Sequence, residues 1–183
     1  MSVDQKYFNI IKTPNDNNCL FRSMVIFLNN HLLSCRRNKE GRPVIKNLTE
    51  YEDNCTRFLR ETVVRIISSR KEKYTSNEYY DSTYYTSIED RIEKMSNEGV
   101  FGGKLEMDII SKMYKINISV FIEFDGEYSS IYRSSLDDDT EYHFKKVLDN
   151  DYEDYSYSKG DTCFLLLEDD HYQVLEPDFI KIN

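Results

Sequence analysis

The chain has 183 residues, of which 39% are hydrophobic and 14% aromatic, the latter supplied by 15 Tyr and 10 Phe. A chain of this size and apolar content can bury a core of its own as one domain spanning residues 1–183, and wholesale disorder is excluded. Against 24 Lys and Arg stand 33 Asp and Glu, a formal charge of −9, which disfavours nucleic acid and suits a basic protein partner met by a monomer.

The chain opens with neither an apolar stretch nor a cleavage pattern, and no apolar run approaches the roughly 20 residues of a membrane span. The expectation is a cytoplasmic protein with no membrane partner. A short extended lead, residues 7–11, runs into dense turn chemistry, Thr13-Pro14-Asn15-Asp16-Asn17-Asn18. From Cys19 onward Leu20, Met24, Phe27, Leu28 and His31 repeat at helical spacing. After a polar linker (36–43), a second helix over 49–70 is predicted, with Tyr51, Cys55, Phe58, Leu59, Thr62, Val63 and Ile66 on its apolar stripe. A short helix is expected over 87–97, and Phe101-Gly102-Gly103 introduces another over 104–114.

Strands dominate the second half. Residues 116–124 are β-branched and alternating, and Asp125-Gly126 is a hairpin signal that turns them into a return strand over 127–133. An acidic, Tyr-rich stretch (137–160) contains a possible strand at 142–147. Residues 163–167 read as a buried strand, Glu168-Asp169-Asp170 as a turn, and 171–175 as the last strand. Helices first and strands late argue for α+β rather than a doubly wound sheet.

Four cysteines (Cys19, Cys35, Cys55, Cys163) are scattered without any CxxC pair, which is the wrong spacing for a zinc site, and a disulfide framework has no secretory signal to support it. Of the four, Cys19 alone sits at a turn-to-helix junction. Unpaired N–H groups and the helix dipole favour a thiolate there and can hold an oxyanion. A polar turn before a helix is also ordinary capping chemistry, so both readings stand. Three histidines compete as the base. His31 lies about 18 Å down the Cys19 helix at roughly 1.5 Å per residue and cannot reach the sulfur. His143 lies in the acidic stretch. His171 opens a strand, where a sheet can present an imidazole, although a half-buried strand-end histidine is an equal reading.

The motif Asp16-Asn17-Asn18-Cys19-Leu20-Phe21-Arg22-Ser23 resembles the nucleophile block of the ovarian-tumour (OTU) deubiquitinases. Phe101-Gly102-Gly103-Lys104-Leu105-Glu106 resembles the family's Trp-Gly-Gly-x-x-Glu block, and Asp170-His171-Tyr172 its closing His-Tyr block. The resemblance implies a papain-like α+β fold with a mostly antiparallel central sheet between helical layers. It implies hydrolysis of isopeptide bonds at the C-terminus of ubiquitin, with ubiquitin or polyubiquitin as partner and no metal or cofactor. By position, Cys19 is the nucleophile and His171 the base, while N–H groups of Cys19, Asn17 and Asn18 hold the oxyanion. Phe101, Gly102, Gly103 and Tyr172 fall at substrate-binding positions.

Departures from the family pattern carry expectations of their own. Asn17 stands where glycine is usual, and asparagine is the next best residue for a positive φ. Phe101 replaces a Trp. Gln173 replaces the Asp or Asn two residues after the histidine, on the same strand face, which makes Asp16 the favoured acid to orient the imidazole and Gln173 the alternative. Arg22 reads as a solvated helix residue and Glu106 as structural. The acidic stretch over 137–154 reads as a solvated loop or as a contact for ubiquitin's basic rim. Rival readings are an OTU-like ubiquitin-binding module without activity, and a protease for a ubiquitin-like modifier or a polyprotein. Richness in Asn, Lys, Ile, Tyr and Asp points to an AT-rich genome, viral, bacterial or protist, with host cytosol as the place of action for the first two.

Overall fold

The computed structural model describes residues 2–36, 48–75, 84–134 and 162–177. They belong to two compact units, a sheet unit (Met1–Thr13 with Met107–Asn183) and a helical unit (Pro14–Glu106).

The sheet unit contains β1 (Ser2–Asp4), a single 3-10 turn (Gln5–Tyr7), β2 (Phe8–Ile11), β3 (Asn117–Phe124), β4 (Glu127–Ser134), β5 (Thr162–Glu168) and β6 (His171–Pro177). Their order is β1-β4-β3-β5-β6-β2. Neighbours run antiparallel except β3 and β5, which are parallel, so the sheet is mixed and mostly antiparallel as expected. The β3–β4 hairpin turns at Asp125 and Gly126, both at positive φ (50° and 79°), the backbone that two-residue hairpins favour because it matches strand twist. A second tight turn, Asp169-Asp170, has φ of 49° and 60°. Aspartate tolerates this region better than most residues, and the turn sets Glu168 opposite His171. β1 carries no signal that propensity would detect, since three residues are too few to show a period.

Alternate residues of β5, Phe164 and Leu166, join Phe8, Phe121, Tyr128 and Leu175 in one buried cluster. Phe8 packs edge-on against Tyr128 and Phe164, ring centroids 6.0 Å apart in each case; such pairs add about 0.5–1.5 kcal/mol each beyond area burial. Phe8 thereby anchors β2, which pairs with β6 through Ile11 opposite Val174. Two residues beyond that last pair, the Thr13 hydroxyl donates to the Tyr172 carbonyl, next to His171.

The helical unit comprises α1 (Cys19–Arg36), α2 (Leu48–Ser69), α3 (Lys71–Tyr74), α4 (Ile88–Met95) and the start of α5 (Lys104–Tyr114). On α1 the buried side chains include Leu20, Phe21, Met24, Val25 and Leu28, a stripe wider than the periodicity suggests. On α2 the buried face is turned relative to the expected one. Thr56, Leu59, Arg60, Val63, Val64 and Ile67 are buried, while Tyr51 and Phe58 are exposed. The reason is polar: a buried Arg60, which a hydrophobicity count places outside, shares that face. α4 is capped by Ser87 Oγ, which accepts from Asp90 N.

At the start of α5 the Gly103 N–H donates to Glu106 Oε2 at 2.7 Å, half of a capping box. Glu106 is fully buried and takes two bonds from Arg91, Nε to Oε1 at 3.1 Å and Nη2 to Oε2 at 2.7 Å. The structural reading of Glu106 therefore holds, and the buried pair ties α4 to α5. The stretch over 137–160, with His143 and its possible strand, and the 36–43 linker beyond Arg36 lie outside the described residues. Among the described residues no helix is long and apolar enough to cross a membrane.

Candidate active site

Within the helical unit, Cys19 is the first residue of α1 and is 1% exposed. Asn18 precedes it as the cap, its carbonyl accepting the first helical bond from Arg22 N at 2.9 Å. Asn17 has φ 59°, the left-handed backbone that its correspondence to glycine implies. Asp16 closes the turn: its Oδ1 accepts from Asn18 N at 3.0 Å, and its Oδ2 accepts from Arg22 Nε at 2.7 Å. This spends inside the turn itself the Asn18 N–H that the OTU resemblance assigns to the oxyanion.

Arg22 is not a solvated helix residue either. It bridges Asp16 (Nη2 to Oδ2, 2.6 Å) and Asp53 of α2 (Nη1 to Oδ1, 2.5 Å). Burial raises the Asp16 carboxyl, but the Arg22 hydrogen bond, the Asn18 N–H and the Arg22 charge outweigh it and hold the group below the ordinary aspartate value. These groups line a polar cleft of about 390 Å³. Asp53 is 42% exposed, so its share of the network is screened and small.

A second arginine grips the turn from beneath. Arg60 Nη2 donates to Asn18 Oδ1 (2.7 Å) and Val100 O (2.8 Å), with Asn17 O at 3.5 Å. Its guanidinium lies 4.4 Å from the Phe21 ring centroid. Asn18 Oδ1 also accepts from Gly99 N at 3.4 Å. One buried cation thus fastens the Cys19 turn to the segment leading into Phe101-Gly102-Gly103. Sequence reasoning missed Arg60, because an arginine inside a helix pattern carries no periodic signal.

Phe101 is 43% exposed. A Cβ on Gly102 would stand 2.6 Å from Leu20 Cδ2 and 3.1 Å from Phe21 Cε2, so this glycine is required by packing against α1. Gly103 has no such neighbour, and its role in the structure is the bond to Glu106.

Within the sheet unit, His171 opens β6 directly after the Asp169-Asp170 turn. Its Nε2 lies 3.1 Å from both the hydroxyl and the carbonyl oxygen of Thr13. Its Nδ1 is buried and has no hydrogen-bond partner among the described residues. The ring's partner is thus Thr13, which the sequence analysis did not weigh. Gln173, the alternative orienting residue, donates its amide to Glu168 Oε2 at 3.3 Å, while the Asp16 carboxylate is engaged by Arg22 and Asn18 in its own unit. Tyr172 is buried, and its carbonyl accepts from the Thr13 hydroxyl at 2.6 Å.

Of the other thiols, burial pushes Cys163 far up, away from thiolate chemistry. Cys55 is half-buried in mid-α2. Among the described residues, no group of three or more His, Cys, Asp or Glu could hold a metal ion.

No protein-family model matches the chain, and no curated protein matches it. Solved structures do. The viral OTU domain protease from Dera Ghazi Khan virus matches with a TM-score of 0.59 at 17% identity, over 97% of this chain and 86% of its own. The Hazara virus OTU bound to ubiquitin matches with a TM-score of 0.60 at 14% identity, over 97% and 87%. An OTU deubiquitinase from Wolbachia pipientis wMel bound to ubiquitin gives 0.51 at 13% identity, over 94% and 97%. The fold of this chain is that of OTU domains.

Proposed function

From this OTU fold we propose that the chain is a cysteine deubiquitinase, its two units forming one catalytic domain that hydrolyses isopeptide bonds at the C-terminus of ubiquitin. The observation that carries the reading is the Cys19 turn: a cysteine at a helix start, behind a positive-φ Asn17, braced by Asp16–Arg22 and Arg60. Two solved proteins of the same fold carry ubiquitin.

In the proposed reaction His171 takes the Cys19 proton, and the thiolate attacks the carbonyl after ubiquitin's glycine pair. N–H groups of Cys19 and Asn17 hold the oxyanion. The imidazolium then protonates the departing lysine amine, leaving a thioester. His171 next deprotonates a water that hydrolyses the thioester, releasing the ubiquitin carboxylate and regenerating the thiol. Asp16 serves from the nucleophile's side by fixing the turn. Phe101, Gly102, Gly103 and Tyr172 remain the proposed substrate contacts, and the cytosol the proposed place of action.

The rival reading, a ubiquitin-binding module without activity, is favoured by one observation: the His171 ring is held by neutral groups rather than a carboxylate. Incubating a panel of diubiquitin linkages with the native chain and with Cys19→Ala separates the two. Monoubiquitin released by the native chain alone is the expected result; binding without cleavage by either would establish the rival.

A further inference from the structure

The sequence leaves open which residue orients the imidazole, and the two candidates it offers are both engaged elsewhere. The groups around Nε2 answer the question by proton bookkeeping. The Thr13 carbonyl can only accept. The Thr13 hydroxyl has one proton, and the 2.6 Å bond to the Tyr172 carbonyl uses it, because that carbonyl also can only accept. What the hydroxyl presents to His171 Nε2 at 3.1 Å is therefore a lone pair. Two acceptors facing one ring nitrogen require that nitrogen to carry the hydrogen. In the neutral imidazole the proton then sits on Nε2, and Nδ1 keeps its lone pair.

We propose that Thr13 is the positioning residue for His171: its hydroxyl and carbonyl fix the Nε2–H tautomer and the ring plane, and make Nδ1 the basic atom. The burial of Thr13 at 8% exposure and the lack of any partner for Nδ1 among the described residues fit that assignment. So does the β2–β6 pairing, whose last pair, Ile11 opposite Val174, ends two residues short of both Thr13 and Tyr172. The same two acceptors suit the imidazolium formed during turnover, whose Nε2–H they continue to hold. Thr13 supplies no negative charge, so this site steadies its base with dipoles where an acid would add an ion pair. The inference rests on the proposed role of His171 as base, but its first test does not.

That test is the tautomer itself. Long-range proton–nitrogen correlation spectra of the 15N-labelled chain at alkaline pH, with His171 assigned by comparison with His171→Gln, read which ring nitrogen is protonated. The native chain is expected to show a single Nε2–H form, replaced by a mixture in Thr13→Val and restored in Thr13→Ser. With a ubiquitin substrate bearing a C-terminal fluorophore, Thr13→Val is expected to lower kcat at least about tenfold at unchanged KM, part of the roughly 10²–10⁴-fold that a placed base contributes, and Thr13→Ser to recover it. A native Nδ1–H form, or a Thr13→Val chain that keeps both the single tautomer and its kcat, overturns the proposal. A chain that cleaves no ubiquitin substrate defeats the functional reading alone, since the spectra still decide what Thr13 does to the ring.

Discussion

The Cys19 turn shows how little of a residue's role its type reveals. The OTU resemblance makes Asp16 the favoured acid to orient the imidazole, yet its carboxylate spans Asn18 N and Arg22. Its removal should still matter, because the turn that presents Cys19 loses its fastening, and a displacement of about 1 Å can cost about 10²-fold in rate. Asp16→Ala is expected to lower kcat/KM by about that factor, whereas Gln173→Ala, whose amide serves only Glu168 among its described bonds, should stay near the native value. Hydrolysis of a fluorogenic ubiquitin substrate by the two variants measures both; the opposite ranking contradicts this role for Asp16. The depressed Asp16 value also fixes a pH window. The pair's contribution is complete above the unfolded aspartate value of about 3.9 and disappears as pH falls through the lower folded value. Thermal unfolding from pH 7 to pH 3 should therefore show Asp16→Asn losing its disadvantage against the native chain only below about pH 4.

Among the elements, those with a clean period were legible and those shaped by buried polar groups were not. α5 falls on 104–114 as its pattern requires, and the β3–β4 hairpin forms at Asp125-Gly126. The α2 stripe was misplaced because Arg60 and Thr56 face inward with Leu59 and Val63, an arrangement that hydrophobicity cannot encode. The Cys19 helix start was readable from turn chemistry. The hold on His171 was not, because Thr13 meets it from 158 residues away in sequence. Element packing places a second demand on Gly102. Adding one methyl there drives it into Leu20 and Phe21, which are 1% and 0% exposed and have little room to yield. Gly102→Ala is expected to destabilise the chain by about 1–3 kcal/mol, read by urea unfolding; a native midpoint would show that α1 gives way freely. The Arg91–Glu106 pair makes a sharper demand. Arg91→Met leaves a buried carboxylate unpaired and should cost about 3–5 kcal/mol, whereas an apolar replacement of both partners should recover much of it.

For the whole molecule, composition and charge were informative in broad terms and silent on the chemistry. They point to a globular chain that disfavours nucleic acid, the order of helices and strands adds the α+β class, and the OTU structures match the fold over nearly the full chain despite 13–17% identity. Identity this low leaves the activity to be decided at Cys19. The direct measurement is covalent labelling by a ubiquitin probe with a C-terminal electrophile, followed by intact mass and peptide mapping. One ubiquitin added per chain, on Cys19, is the expected result, abolished in Cys19→Ala and strongly slowed in His171→Ala. An unlabelled native chain, or a label carried by Cys55 or Cys163, would contradict it.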